Sequence, residues 1–288
     1  MKIGVVSYKC LINMTVRGFM IGGKIQVDRK NKIALVTMNQ ARKKNASDES
    51  MFLALENVTD ELKQNLPRAI ILTGAGDEAF CAGFNVNPEN PLVADFLEVL
   101  NSNDIEPARR MVNRIRKAVD GFISLPVPII AAINGLAYGG GMELATRCDL
   151  RVMDRTAQLC FSEVRLGLMP DWGGGPYLTK LVGSAIASDL ILTARTVNAE
   201  EALKIGLVNR VSGEGRSVNE ALNLAEQIAQ NGPKAVRHAL SVIRQSRGLS
   251  LEKALELEAK TAAELVKSGE WMHGVKAFME KKKPEFPD

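Results

Sequence analysis

The sequence is poor in the residues from which metal centres and disulfide frameworks are built. It has two histidines, His238 and His273, and four cysteines, Cys10, Cys81, Cys148 and Cys160, with no Cys-x-x-Cys pair. The histidines stand far from the cysteines along the chain, so no zinc site is expected, and buried free thiols in a reducing compartment are. Charge of one sign is also lacking. Thirty-seven Lys+Arg against 33 Asp+Glu leave a net charge of +4, and the basic residues are scattered rather than gathered into a run. Nothing in that balance demands nucleic acid, although it is compatible with a polyanionic small ligand. No apolar run approaches the ~20 residues of a membrane span, because 128–137 is interrupted by Asn134 and Gly135. At the start, Ser7, Tyr8, Lys9 and Arg17 break up the apolar stretch behind Lys2 and no cleavage site follows, so residues 1–20 do not read as a signal peptide. A cytoplasmic protein is expected.

What is present is a chain of 288 residues, 46% hydrophobic, which suffices for one large core with or without a small appendage. Short β-branched runs at 24–27, 33–38, 68–73, 128–133, 150–153 and 207–211 alternate with helical patterns, the layout of an α/β protein. Segments 48–66, with Ser47 and Asp48 as capping candidates, and 106–123 read as amphipathic helices. Arg109, Arg110, Arg114, Arg116 and Lys117 on the second are first of all a solvated face. After Val211 the strand signals stop. Segments 217–229, 233–245, 249–267 and 270–282 read as successive helices, a helical region leaving an α/β core. Such helices suit packing against a neighbouring subunit.

Three glycine-rich stretches hold the candidate chemistry. In NGLAYGGGMELATRCDL, Gly139–Gly141 directly precede Met142 and Glu143. Glycine costs roughly 0.5–1 kcal/mol relative to alanine inside regular structure, so a triple run belongs where the backbone takes unusual angles or something approaches closely. It reads either as a strand-to-helix hinge with Glu143 on the helix dipole, or as main-chain donors beside a catalytic acid or base. ILTGAGDEAFCAGFN nearly matches a dinucleotide fingerprint, but 80–91 carries Gly83, Asn85, Asn87, Pro88, Asn90 and Pro91 and reads as a loop, not a helix. Cys81 beside it has no histidine nearby in sequence and reads as a packing residue. In FSEVRLGLMPDWGGGPYLTKLVG, Glu163 sits among Phe161, Val164, Leu166 and Leu168, surroundings expected to raise its pKa. Asp171 reads as a cap for a helix starting at 173–177, and Trp172 as core or pocket wall.

The ordered set IALVTMN, KKNA, AIILTGAGDEAFCAG, IIAAINGLAYGGGMELATRCDLRV, SEVRLGLMPDWGG and VKAFMEKKKPEF resembles the enoyl-CoA hydratase/isomerase (crotonase) superfamily over 21–286. Several separated motifs in fixed order are far more specific than any one of them. The resemblance implies an α/β spiral of ββα units over 21–215, preceded by an extension at 1–20. It also implies a C-terminal helical region at 216–288 that builds trimers or dimers of trimers. It implies an oxyanion hole for a thioester carbonyl from the N–H groups of Phe84 and Gly140. Two glutamates, Glu143 for water positioning and Glu163 for proton transfer, would add water across the C2–C3 double bond of a 2-enoyl-CoA. No metal or separate cofactor is required, since coenzyme A arrives with the substrate. Backbone at Phe80, Cys81 and Ala82 would lie along coenzyme A, Lys43 and Lys44 would approach its phosphates, and Phe278 and Lys281 would reach it from an adjoining helix or subunit. Asp171 matches a proton-shuttling aspartate of some isomerases, which keeps double-bond isomerisation as the alternative. A hydrolase or an RNA-binding relative ranks lower. Phe84 and Asn85 depart from the usual small residue and aspartate, and Phe84 and Trp172 hint at a flat or bulky acyl group.

Overall fold

A computed structural model describes residues 18–287. Most of the proposed 1–20 extension, and Cys10 with it, lies outside the described residues. The chain opens with three antiparallel strands, β1 (Phe19–Ile21), β2 (Ile25–Lys30) and β3 (Ile33–Met38). Helix α1 (Glu49–Gln64) follows, capped by the Asp48 carboxylate, which accepts the Met51 N–H. Its Met51, Phe52, Leu55, Val58 and Leu62 recur at helical spacing and are buried.

From there strands come in pairs. β4 (Ala69–Gly74) enters the large sheet and β5 (Ala79–Cys81) a small one; after α2 (Pro91–Ser102) and α3 (Glu106–Ile123), β6 (Ile129–Ile133) and β7 (Leu136–Tyr138) do the same. Helix α4 (Gly140–Arg147) follows, and β8 (Leu150–Asp154) and β9 (Leu159–Cys160) repeat the step. After α5 (Gly174–Val182), α6 (Ser184–Thr193) and α7 (Ala199–Lys204), β10 (Arg210–Ser212) closes the large sheet in the order β1-β2-β3-β4-β6-β8-β10. The small sheet runs β5-β7-β9 and is parallel throughout. This stepwise pairing is the spiral of ββα units expected from the sequence.

Both faces of the large sheet are buried, as the near-continuous apolar runs require. Ile70, Leu72, Ile129, Ala131 and Ile133 point into the main core, whereas Ala69, Ile71, Ile130, Ala132 and Val152 face Ala221 and Ala225 of α8 (Ser217–Ala229). The last helices, α9 (Pro233–Ser246), α10 (Leu251–Lys267) and α11 (Trp271–Met279), follow beyond the sheet. Arg244 of α9 anchors them, donating to both carboxylate oxygens of Asp149 at 2.8 and 2.6 Å and to the carbonyls of Leu125 and Val127. Helix α10 buries none of its residues, and Leu251, Leu255, Val266, Trp271 and Phe278 on α10 and α11 are exposed.

Two sequence readings shift. The run 207–211 is a strand only from Arg210, because the N–H groups of Leu207 and Val208 turn back to the Ala202 carbonyl and that of Asn209 reaches the Arg151 carbonyl. The stretch 80–91 is loop only over 82–90, since Phe80 and Cys81 finish β5, a strand too short to leave a periodic pattern, and Pro91 opens α2. No helix among the described residues is long and apolar enough to cross a membrane.

Candidate active site

The two upstream glycine turns meet. Gly83 takes φ +93°, and a Cβ on it would lie 2.8 Å from the Tyr138 carbonyl oxygen and 3.0 Å from the Gly140 nitrogen. A Cβ on Gly141 would lie 2.1 Å from the Cys81 carbonyl oxygen. Glycine is therefore required by contact, not only by flexibility. Ser47 donates its N–H to the Gly83 carbonyl and accepts the Asn85 N–H, both at 2.8 Å. The intervening Phe84 thus turns its own N–H away from Ser47, since successive groups of an extended chain point in opposite directions. Gly140 is the first residue of α4, where an N–H has no partner inside the helix.

Glu143, one turn into α4, is fully buried. Its carboxylate does not serve its own helix. It accepts the Asp171 N–H at 3.1 Å and the Gly174 N–H at 2.7 Å, and so caps α5 from outside. Asp171 is accordingly not the cap the sequence suggested: the capping position is Gly173, at φ +93° and without any side-chain bond. Gly174 must be glycine, because a Cβ there would sit 2.5 Å from Glu143 Cγ.

Glu163 opens a 3₁₀ turn (Glu163–Leu166) and is 9% exposed, yet neither carboxylate oxygen has a hydrogen-bond partner. Of the apolar neighbours read in the sequence, Phe161 is buried and Val164 half-buried, whereas Leu166 and Leu168 are exposed. Glu163 also lies against the glycine turn at 139–141, where a Cβ on Gly139 would lie 3.7 Å from Glu163 Oε1. Burial raises its pKa first, its own N–H and the neighbouring Glu143 carboxyl offset part of that, and the Asp171 charge adds a smaller upward push. Glu143 is pushed up to about 7, first by burial and then by Glu163, against the N–H groups that its carboxylate accepts. Asp171 is pushed up to about 6 by burial and by Glu143. Three carboxyls in one place thus have raised proton affinities, Glu143 and Asp171 near neutrality, as suits groups that transfer protons.

Trp172 is 2% exposed, meets Phe52 edge-on at 5.2 Å between ring centroids, and stands over Gly140, so it is both core and wall. Phe84 is half-buried and meets Phe96 edge-on at 6.2 Å. Cys81 is fully buried with its thiol pushed up to about 11 by burial, in keeping with a packing role. Phe80 is fully buried, and the Ala82 N–H is taken by the Lys44 carbonyl at 2.9 Å. Lys43 and Lys44 are exposed on the turn after β3. Phe278, 84% exposed, and Lys281, just past α11, make no contact with the carboxyl cluster within the chain.

Sequence reasoning passed over two positioning residues. Arg147, one turn beyond Glu143, donates to the Trp172 carbonyl at 2.6 Å and pairs with Asp120 at 2.6 Å, which holds the loop that carries the Glu143 donors. Its i, i+4 spacing from Glu143 was the available signal. The buried Asn45 amide donates to the Ala75 and Ala79 carbonyls and its oxygen accepts the Gln40 N–H, tying β3 to the loop before β5.

The fold is an α/β spiral of strand pairs in which two glycine turns and three carboxyls of raised proton affinity meet. The chain belongs to the enoyl-CoA hydratase/isomerase family, whose model matches residues 28–288. It is 34% identical to a short-chain-enoyl-CoA hydratase of Clostridium acetobutylicum over 262 residues, 90% of this chain and 95% of the relative. Among solved structures, an enoyl-CoA hydratase of Bacillus anthracis matches with TM-score 0.83 at 33% identity, covering 91% of this chain and 98% of the other. DspI of Pseudomonas aeruginosa matches with TM-score 0.84 at 32% identity, covering 93% and 98%.

Proposed function

We propose that this chain hydrates a 2-enoyl-CoA thioester. The observation that carries the reading is the unequal pair of buried glutamates, Glu143 held by two N–H donors and Glu163 with both oxygens unpaired. In this reading the thioester oxygen sits on the N–H groups of Phe84 and Gly140, which stabilise the charge that develops as C2 becomes enolate-like. Glu143, fixed in place, positions the attacking water and takes its proton as the hydroxyl joins C3. Glu163, whose protonated form burial favours, delivers its proton to C2. The proton gained by Glu143 then passes back to Glu163, and one water has been added. Lys43 and Lys44 face the coenzyme A phosphates, the backbone at 80–82 flanks the cofactor portion of the substrate, and Phe278 and Lys281 complete the site of a neighbouring copy in a trimer or dimer of trimers. The exposed apolar residues of α10 and α11 support that assembly.

Double-bond isomerisation is the second reading, supported by Asp171, whose raised pKa suits it to carry a proton between carbons. Mass spectrometry of 2-enoyl, 3-enoyl and dienoyl thioesters after incubation with the protein separates the two. Gain of one water by a 2-enoyl member, with turnover cut at least ~10²-fold by Glu163→Gln and coenzyme A binding retained, is the expected result. A shift of the double bond at constant mass, abolished by Asp171→Asn, would transfer the central role to Asp171.

A further inference from the structure

A cavity of about 410 Å³ opens between α3, α5 and α9, with Arg147 of α4 on its wall. Its size falls within the range of small-ligand sites, but its lining is unlike that of an apolar pocket. Arg147, Arg237, Arg244 and Arg247 face it, with Asp120 as the only acid. Asp120 is already shared between Arg147 and Arg116, and Arg244 is neutralised by Asp149. Among the described residues no carboxylate pairs with Arg237 or Arg247. Both are half-buried.

Two further observations favour an anion as the partner of these arginines. Arg147 is 5% exposed, and its Nε has no acceptor, an uncompensated donor on a buried cation. Tyr177 lies between two guanidinium groups, Arg147 at 5.1 Å and Arg247 at 5.2 Å from the ring centroid. One ring attracts each cation, but like charges gathered around it repel unless an anion joins them. Guanidinium groups converging on a cavity are suited to phosphate and carboxylate oxygens, which they bind through paired donors.

We propose that this cavity is a second binding site, for a small oxyanion bearing two or more negative charges, such as a phosphate ester or a polycarboxylate. Arg237 and Arg247 are the primary ligands and Arg147 supplies buried positive charge. The proposal stands independently of the hydratase reading, because its test reads binding rather than turnover.

The experiment is calorimetric titration of the full chain with pyrophosphate and with citrate at constant ionic strength, in the presence of saturating coenzyme A so that the substrate site is closed to them. The wild type is expected to show saturable binding of one anion per chain. The double variant Arg237→Gln/Arg247→Gln should weaken it at least tenfold, with unchanged circular dichroism and unchanged turnover of a thioester substrate. Binding of pyrophosphate alone would assign a phosphate ligand, and binding of both a general polyanion site. Absence of saturable binding by either anion, or equal binding by the double variant, overturns the proposal. A change in assembly mass in the double variant without anion binding by the wild type also overturns it, and would make these arginines partners for acids of a second copy.

Discussion

Gly140→Ala tests whether the triple glycine exists for contact. An alanine Cβ at this position would meet Trp172 Cε2 and Cζ2 at 2.5 Å, whereas ordinary contact begins at 3.4 Å. The deficit is about 0.9 Å. The indole has little room to retreat: it is 2% exposed, abuts Phe52 and belongs to a residue whose carbonyl is held by Arg147. The N-terminus of α4 must therefore move. Overpacking of this kind costs about 1–3 kcal/mol of stability, and displacing the proposed oxyanion donor by about 1 Å should lower the rate about 10²-fold. Both effects should be visible, in the denaturant midpoint and in kcat/KM for a short 2-enoyl-CoA. A double-mutant cycle isolates the cause. In a Trp172→Leu background the rigid ring is gone, and the stability cost of Gly140→Ala should shrink by about 1 kcal/mol or more. Wild-type turnover and midpoint in Gly140→Ala, or the same cost in both backgrounds, would refute the contact argument.

The remaining predictions address other parts of the chain. Gly121→Ala, inside α3, brings its Cβ no closer than 3.9 Å to the Thr59 methyl, so the better helix former should raise stability by about 0.5–1 kcal/mol in urea denaturation; a lower midpoint would show that the space is not there. The Glu143 pKa, raised from 4.5 to about 7, means that the folded state favours the neutral carboxyl. Its stabilising contribution is fully present below pH 4.5 and drains away as pH rises through 7, by about 3 kcal/mol in all. Glu143→Gln should flatten that loss when denaturation is compared at pH 5 and pH 8, and parallel pH profiles for the two proteins would count against the assignment.

The sequence by itself determined the elements whose causes are local. Periodicity gave 106–123 and 217–229 the same bounds as α3 and α8, and Asp48 capped α1 as its position suggested. The apolar runs marked strands buried on both faces, and the ordered motifs marked the family. Triple glycines flagged two of the turns that needed close contact, at 139–141 and 173–175, but not what they touched. Only the tertiary structure decided how the carboxyls are used. Glu143 reaches across 31 residues to the Gly174 N–H, Asp171 loses the capping role to it, and Glu163 comes to lie against Gly139. The short sheet β5-β7-β9 was invisible for the same reason, since strands of two or three residues carry no period. Propensity and patterning act within a turn or two of chain. Burial, proton affinity and the meeting of donors with acceptors depend on the dielectric and geometry that distant segments create together.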